Sequence, residues 1–331
     1  MKAIVYEQYG LPEVLQLKEV APPVPKENEI LIRVRATSVG YGDITARNFK
    51  NISPREFNMA LPLWWAARLA FGPQKPNIRI LGAEFSGTVE AVGHSVTRFT
   101  KGEAVFGYRG QAFGANAEFL CMPETGLVAP KPANLSFEEA STVPYGAMTA
   151  LSLLRQVNIQ PGQRVLINGA SGGIGSYAVQ LAKHYGAHVT GICSTPRMSL
   201  VKALGADEVI NYVKTDFTQN GQKYNVIFDV LGRSSFAKCK RSLTANGRYL
   251  LASFKTPQLL QMLITSFFGG PKVICALSNE SLADLLHIKA LAEAGKIKAF
   301  VDKRFPLAQA AAAHRYWEAG QRTGSVVLTL L

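Results

Sequence analysis

The chain has 331 residues, 47% of them hydrophobic and 18% charged, and its 36 Lys+Arg against 23 Asp+Glu give a net charge of +13. That length predicts two domains with sizeable cores, and no run reaches the roughly 18 uninterrupted apolar residues of a membrane span. The basic residues are scattered, without the dense aromatic-interleaved runs of nucleic-acid binders, so the charge fits a phosphate-bearing cofactor or a solvated surface and no nucleic-acid partner. Cys121, Cys193, Cys239 and Cys275 form no paired-ligand spacing and read as reduced structural thiols. Residues 1–6 alternate like a strand and lack the longer apolar core of a signal peptide, which makes a cytoplasmic protein the expectation.

Up to about residue 126, short alternating or apolar runs at 30–34, 87–92 and 103–106, broken by Gly and Pro, predict a compact β domain. From about Pro161 the rhythm becomes strand, helix, strand. Residues 164–168 read as a strand. Ile174, Ala178, Leu181, Ala182 and Tyr185 then fall on one helical face that ends at Gly186. Strands follow at 188–193, 208–212, 226–229 and 249–251, with a short helix at 197–204. This alternation predicts an α/β fold built on a parallel, doubly wound Rossmann sheet. In the tail, helices are expected at 281–294 and 307–319, and strands at 300–301 and 325–330.

The strongest motif is Asn168-Gly169-Ala170-Ser171-Gly172-Gly173-Ile174-Gly175, which leaves a predicted strand and opens a predicted helix. That context fits a dinucleotide fingerprint. Gly172 would admit the pyrophosphate to the backbone, Gly175 would let the helix pack closely, and the helix end would hold phosphates. The same residues also match a serine-hydrolase elbow around Ser171, with Asp229 and His287 or His314 following in order. A purely structural turn is the third reading. At the end of the second strand, where NAD-specific sites carry an acid for the ribose hydroxyls, the chain reads Cys193-Ser194-Thr195-Pro196-Arg197. Two hydroxyls and an Arg suit a 2′-phosphate, so NADPH is the expected cofactor.

Leu81-Gly82-Ala83-Glu84-Phe85-Ser86-Gly87, Phe99-Thr100-Lys101-Gly102-Glu103-Ala104-Val105, Val143-Pro144-Tyr145-Gly146-Ala147-Met148-Thr149-Ala150, the Gly-rich turn and Leu204-Gly205-Ala206-Asp207 together resemble the medium-chain dehydrogenase/reductase family, and its quinone reductases in particular. The resemblance covers nearly the whole chain in the family's order. It implies a GroES-like catalytic domain from residues 1–126 and 296–331, a Rossmann NADPH-binding domain at 127–295, a nicotinamide cleft between them, and a homodimer. It also implies cofactor contacts from Thr149, from Ala170 to Ile174, and from Ser194, Thr195, Arg197 and Tyr212 at the adenosine end. Leu231, Gly232, Ser253 and Phe254 would lie at the nicotinamide side, with Arg322 near the terminus.

The departures from that pattern bear on mechanism. Zinc-dependent relatives carry Gly-His-Glu where this chain has Gly82-Ala83-Glu84, and a Cys near Gly40, so no metal is expected. Where many quinone reductases have an Asn before Asp43, Gly40 and Tyr41 stand. Tyr41 or a water is then the candidate hydrogen-bond donor, beside Asp43. Without zinc a simple alcohol is a poor substrate. A small hydrophobic quinone or α,β-unsaturated carbonyl reduced by hydride from NADPH is the expectation. An NADPH-binding sensor or structural protein with little turnover is the rival from another class. Residues 52–80, with Trp64 and Trp65, and the apolar run 259–268 read as a substrate lid, a dimer interface or ordinary core, with membrane contact at most peripheral.

Overall fold

The computed structural model describes residues 1–57 and 59–330. Two compact units form, one from Met1–Ser53, Ala66–Tyr145 and Ser281–Leu331, the other from Pro54–Trp65 and Gly146–Glu280.

In the first unit, β1 (Lys2–Val5) pairs antiparallel with β2 (Gln16–Glu19). The organising strand is β3 (Glu29–Val39), whose Ile30, Ile32, Val34 and Ala36 alternate inward, each at most 1% exposed. Helix α1 (Tyr41–Arg47) follows, and α2 (Leu61–Phe71) lies within the 52–80 segment. Tyr9 Oη donates to the carbonyls of Phe71 and Gly72, and the Phe71 ring packs 4.9 Å from that of Phe49, so the C-terminal end of α2 is anchored. Strands β4 (Glu84–Val92), β5 (Ala104–Tyr108), β6 (Phe119–Pro123) and β7 (Val128–Pro130) complete the local sheet, before the single turn of α3 (Phe137–Ala140).

The second unit takes up the chain within α4 (Pro144–Arg155). It then alternates β8 (Arg164–Asn168), α5 (Gly173–His184), β9 (His188–Cys193), α6 (Met198–Ala203), β10 (Glu208–Asn211), β11 (Tyr224–Asp229), α7 (Phe236–Cys239), β12 (Leu243–Leu251), α8 (Thr256–Phe267) and β13 (Lys272–Cys275). All pairings are parallel, in the order β10-β9-β8-β11-β12-β13. In order of appearance that is 3-2-1-4-5-6, the doubly wound arrangement whose direction reverses between β8 and β11. Val165, Leu166, Ile167, Val226, Ile227 and Phe228 are all fully buried, as strands covered on both faces require. The Rossmann-type sheet expected from the sequence is therefore present. Four elements of this unit were not anticipated: the helices α4, α7 and α8, and the strand β13.

The chain then returns to the first unit with α9 (Leu282–Glu293), β14 (Val301–Pro306), α10 (Ala310–Glu318) and β15 (Ser325–Thr329). Strand β15 is hydrogen-bonded to β14 on one side and to β3 on the other, within a sheet ordered β14-β15-β3-β4-β5-β7. Arg47, with no exposed surface, donates to His314 Nδ1 at 3.1 Å, to Glu318 at 2.5 Å and to the Gly10 carbonyl at 3.1 Å, tying α1 to α10.

Candidate active site

The sequence-predicted cofactor residues of the second unit converge on the C-terminal ends of its parallel strands. The loop after β8 turns at Gly169 and enters α5, where the first-turn amides of Gly173, Ile174 and Gly175 have no carbonyl within the helix to bond. A side chain at Gly173 would meet nothing within 4 Å, so the mouth of this loop is open. At Gly175 the reverse holds: a Cβ there would lie 2.0 Å from the Gly169 carbonyl, so only glycine lets the helix sit against the loop. Ala170 is fully buried and Ser171 half-buried. An open ring of amides at a helix N-terminus suits a pyrophosphate in chemistry and charge.

Beside it, β9 ends at Cys193, and Ser194-Thr195-Pro196-Arg197 forms a short turn before α6. Asn211, last residue of β10, donates from Nδ2 to Thr195 Oγ1 at 2.6 Å, and the Tyr212 amide donates to the Cys193 carbonyl. Ser194, Thr195, Arg197 and the exposed Tyr212 thus share one strand-end surface. No acid stands among them. Asn211 was not among the expected site residues; its place at the end of the strand neighbouring β9 is the signal the sequence carries for it.

On the other side of the switch point, Asp229 ends β11 fully buried. Its Oδ1 accepts from Asn168 Nδ2 (3.0 Å), the Leu231 amide (3.2 Å) and the Gly232 amide (3.1 Å). Its Oδ2 accepts from the Ser234 amide (2.8 Å) and Tyr249 Oη (3.0 Å). Burial, reinforced by this carboxylate, drives the Tyr249 phenol far above its ordinary range, so it stays protonated and donating. The carboxylate thereby shapes the turn carrying Leu231 and Gly232. Gly232 adopts φ +62°, and a Cβ on it would come 2.4 Å from the Ser253 carbonyl, which packs the turns after β11 and β12 together. Phe254 is buried in the core of the unit, and Ser253 before it is partly exposed. Thr149, on α4, is buried and donates from Oγ1 to Glu280 at 3.1 Å.

This geometry disfavours the hydrolase reading. Asp229 spends its oxygens on the turn, and His314 is fully buried with Nδ1 facing Arg47. Burial, with the Arg47 charge, pushes the His314 imidazole down to about 3. Among the described residues neither Ser171 nor Asp229 hydrogen bonds a histidine.

In the first unit, Asp43 is buried and accepts from the amides of Gly40 and Gly82, both at 2.8 Å. Burial pushes its carboxyl up to about 6 against the pull of those bonds. Glu84 accepts from Ser38 Oγ at 2.6 Å and from the Tyr145 amide at 2.8 Å, and burial, with Asp43 as a minor contributor, pushes it up to about 7. Asp43 is therefore a scaffold for the Gly40 and Gly82 turns. Tyr41 is half exposed, its ring 6.4 Å from that of Trp317, and the Arg322 guanidinium lies 4.4 Å from the other partner of that pair, the Trp317 ring centroid. Trp317, whose ring joins Tyr41 and Arg322, carries no motif in the sequence that would mark it. Among the described residues no group of three or more His, Cys, Asp or Glu is placed to hold a metal ion.

The two carboxyls predict a pH signature. Glu84 holds its proton to about 7 in the fold, against an ordinary 4.5, so the native state binds more protons across that interval. Its contribution to stability is complete below the lower value and lost as pH rises through the upper one. Glu84→Gln is expected to flatten the fall in melting temperature between about pH 5 and pH 8, gaining on the parent by on the order of 2 kcal/mol across that range. Calorimetric melts of both proteins in matched buffers measure this, and parallel pH profiles would refute it.

The chain matches the alcohol dehydrogenase GroES-like domain family over residues 26–133 and the zinc-binding dehydrogenase family over residues 204–328. It is 31% identical to a 2-methylene-furan-3-one reductase of Solanum lycopersicum, over 99% of this chain and 79% of that protein. It is 30% identical, over the same shares, to an NADPH-dependent alkenal/one oxidoreductase of Arabidopsis thaliana chloroplasts. Among solved structures, a quinone oxidoreductase from Coxiella burnetii superposes with a TM-score of 0.82 at 27% identity, covering 100% of this chain and 99% of that one.

Proposed function

Since the chain belongs to the medium-chain dehydrogenase/reductase superfamily and is an NAD(P)H-dependent oxidoreductase, we propose that it uses NADPH to reduce a quinone or an α,β-unsaturated carbonyl, without zinc. The observation that carries the reading is the open amide loop at Gly173, flanked by a strand end bearing Ser194, Thr195 and Arg197 with no acid. The loop amides would hold the pyrophosphate, and Arg197 with the two hydroxyls the 2′-phosphate. The Leu231–Gly232 and Ser253 turns would border the nicotinamide.

When bound, the nicotinamide supplies the hydride. The protein's part is to orient the acceptor and stabilise charge at its carbonyl oxygen. Tyr41 is the proposed donor to that oxygen, its ring oriented by Trp317. Ala83 and Gly40 offer no metal ligand at the two positions where zinc-dependent relatives have His and Cys. Activation of the acceptor therefore falls to conjugation within the substrate, which spreads the developing charge. The names of the similar proteins, which act on alkenals, enones and quinones, support the same substrate class.

The test is NADPH oxidation by the purified protein against a panel of quinones, enals and enones, with saturated aldehydes as controls. Turnover confined to the conjugated compounds is expected. Turnover of the saturated aldehydes alone, or of none, would overturn the proposal. Arg197→Ala is expected to weaken NADPH by roughly tenfold to a hundredfold while leaving NADH nearly unchanged, as loss of a charge-assisted phosphate contact requires. Equal losses for the two nucleotides, measured by calorimetry, would reject Arg197 as the phosphate ligand.

A further inference from the structure

In the first unit, antiparallel pairing sets Glu84 of β4 opposite Tyr108 of β5, and Phe85 opposite Gly107. Phe85 is fully buried in the core, and a Cβ on Gly107 would strike its ring at 2.7 Å, so this second pair faces inward. Side chains alternate along a strand, so Glu84 and Tyr108 turn to the opposite face of the sheet. On β3, Thr37 lies opposite Phe85, which brings Ser38 to that same face, and Ser38 Oγ donates to Glu84 Oε2 at 2.6 Å. Ser38, Glu84 and Tyr108 thus form one row across three strands.

Tyr145, in the first turn of α4, closes on this row. Its amide donates to Glu84 Oε1 at 2.8 Å, and its ring packs on that of Tyr108 with centroids 5.4 Å apart and 35° between the planes. That spacing suits an offset aromatic pair. Both tyrosines are partly exposed, whereas Glu84 and Ser38 beneath them are buried. Both oxygens of Glu84 already accept hydrogen bonds, so what this row offers a ligand is ring surface rather than charge.

The row adjoins the proposed reacting end of the acceptor. Ala83 directly precedes Glu84, and its carbonyl accepts from the Arg109 amide, next after Tyr108, at 2.7 Å. Asp43 holds the amides of Gly82 and Gly40 together, and Tyr41 follows Gly40. The two positions that carry metal ligands in zinc-dependent relatives, Gly40 and Ala83, are therefore joined by hydrogen bonds or by direct sequence to a segment bearing three tyrosines, Tyr41, Tyr108 and Tyr145.

We infer that Tyr108 and Tyr145 form an aromatic wall of the acceptor site, which selects planar ring acceptors, quinones and aryl-conjugated enones, over short open-chain enals. A ring stacked on a phenol gains both buried area and a favourable quadrupole contact, and a short chain gains little of either. The inference rests on the reductase reading above. Tyr145→Leu tests it, because the bond from Tyr145 to Glu84 runs through the backbone and survives the substitution. The KM for naphthoquinone is expected to rise about tenfold and that for crotonaldehyde less than about twofold. Tyr145→Phe, which keeps the ring, should restore the preference, and Tyr108→Leu should lower it in the same direction. Calorimetry with naphthol, a ring that accepts no hydride, reads the wall without turnover: on the NADP⁺-bound protein Tyr145→Leu should weaken it about tenfold. Failure of every acceptor to turn over would remove the reductase reading and leave the naphthol result standing. Equal losses for ring and chain acceptors, unchanged naphthol affinity in Tyr145→Leu, or no rescue by Phe would each overturn the wall.

Discussion

Asp229→Asn is expected to slow catalysis by roughly a hundredfold while changing NADPH affinity far less. The carboxylate accepts from three backbone amides, a side-chain amide and a phenol. An amide of the same shape has one oxygen, and its NH₂ then faces donors, so part of the turn from Val230 to Ser234 loses its anchor at about 1–3 kcal/mol for each buried group left unmet. The loop proposed to hold the pyrophosphate follows another strand; it loses one Asn168 side-chain bond but keeps its backbone bonds from Gly172 to Gly169 and from Ser176 to Gly172, whereas the turn proposed to border the nicotinamide moves. Two readings decide it. Hydrogen exchange at the Leu231, Gly232 and Ser234 amides should accelerate sharply, and kcat should fall with little change in the KM for NADPH. Unchanged exchange would show that the carboxylate does not hold the turn. A fall in affinity equal to the fall in kcat would show that it acts on the whole nucleotide and not on its reactive end. Asp229→Ala removes every acceptor at once and is expected to lower the melting temperature markedly as well.

Gly175→Ala carries the second large effect, and its sign is informative. In an ordinary helix the change would stabilise by about 1 kcal/mol. Here the added Cβ would sit 2.0 Å from the Gly169 carbonyl, with backbone rather than a flexible side chain in the way. Helix and loop must separate, at a cost of roughly 1–3 kcal/mol, and the amides that would grip the pyrophosphate lose their alignment. Calorimetry should find NADPH weakened by at least roughly tenfold, together with a lower melting temperature. A variant melting at or above the parent with nucleotide affinity intact would mean that the loop can yield, and the reading of this glycine would fall.

The second unit was largely legible in the sequence because its signals are local. A strand buried on both faces is a continuous apolar run, as at Val165-Leu166-Ile167, and the glycines that end it are neighbours in the chain. Strand β13 was missed for the converse reason. Four residues, Lys272-Val273-Ile274-Cys275, show no period, and they follow closely on the longer apolar run at 259–268. The expected helix at 197–204 begins as a tighter turn over Thr195–Arg197, since Pro196 fixes the entry. Asp229 carries two signals in the sequence: a strand-ending Asp ahead of Gly232 and Ser234 suits an Asx-type turn as well as a hydrolase acid, and only the fold separates them. The first unit hides its candidate chemistry better. Tyr41 and Trp317 stand at opposite ends of the chain, and only the fold joins them. The burial that raises Asp43 and Glu84 has no sequence signature, because both acids lie in segments that look like ordinary strand and helix starts.

The interior position of β15 sets an order of assembly. Its hydrogen-bonding partners are β14 and β3, so the sheet whose earliest strand is β3 stays divided until β15 is made. The residues of the nucleotide-binding unit from Gly146 to Glu280 are continuous and emerge earlier. During synthesis that half can close while the N-terminal strands wait, their apolar faces in the care of chaperones. A chain cut before β15 would then keep the continuous Gly146–Glu280 segment, while β14 and β3 would lack the strand that joins them.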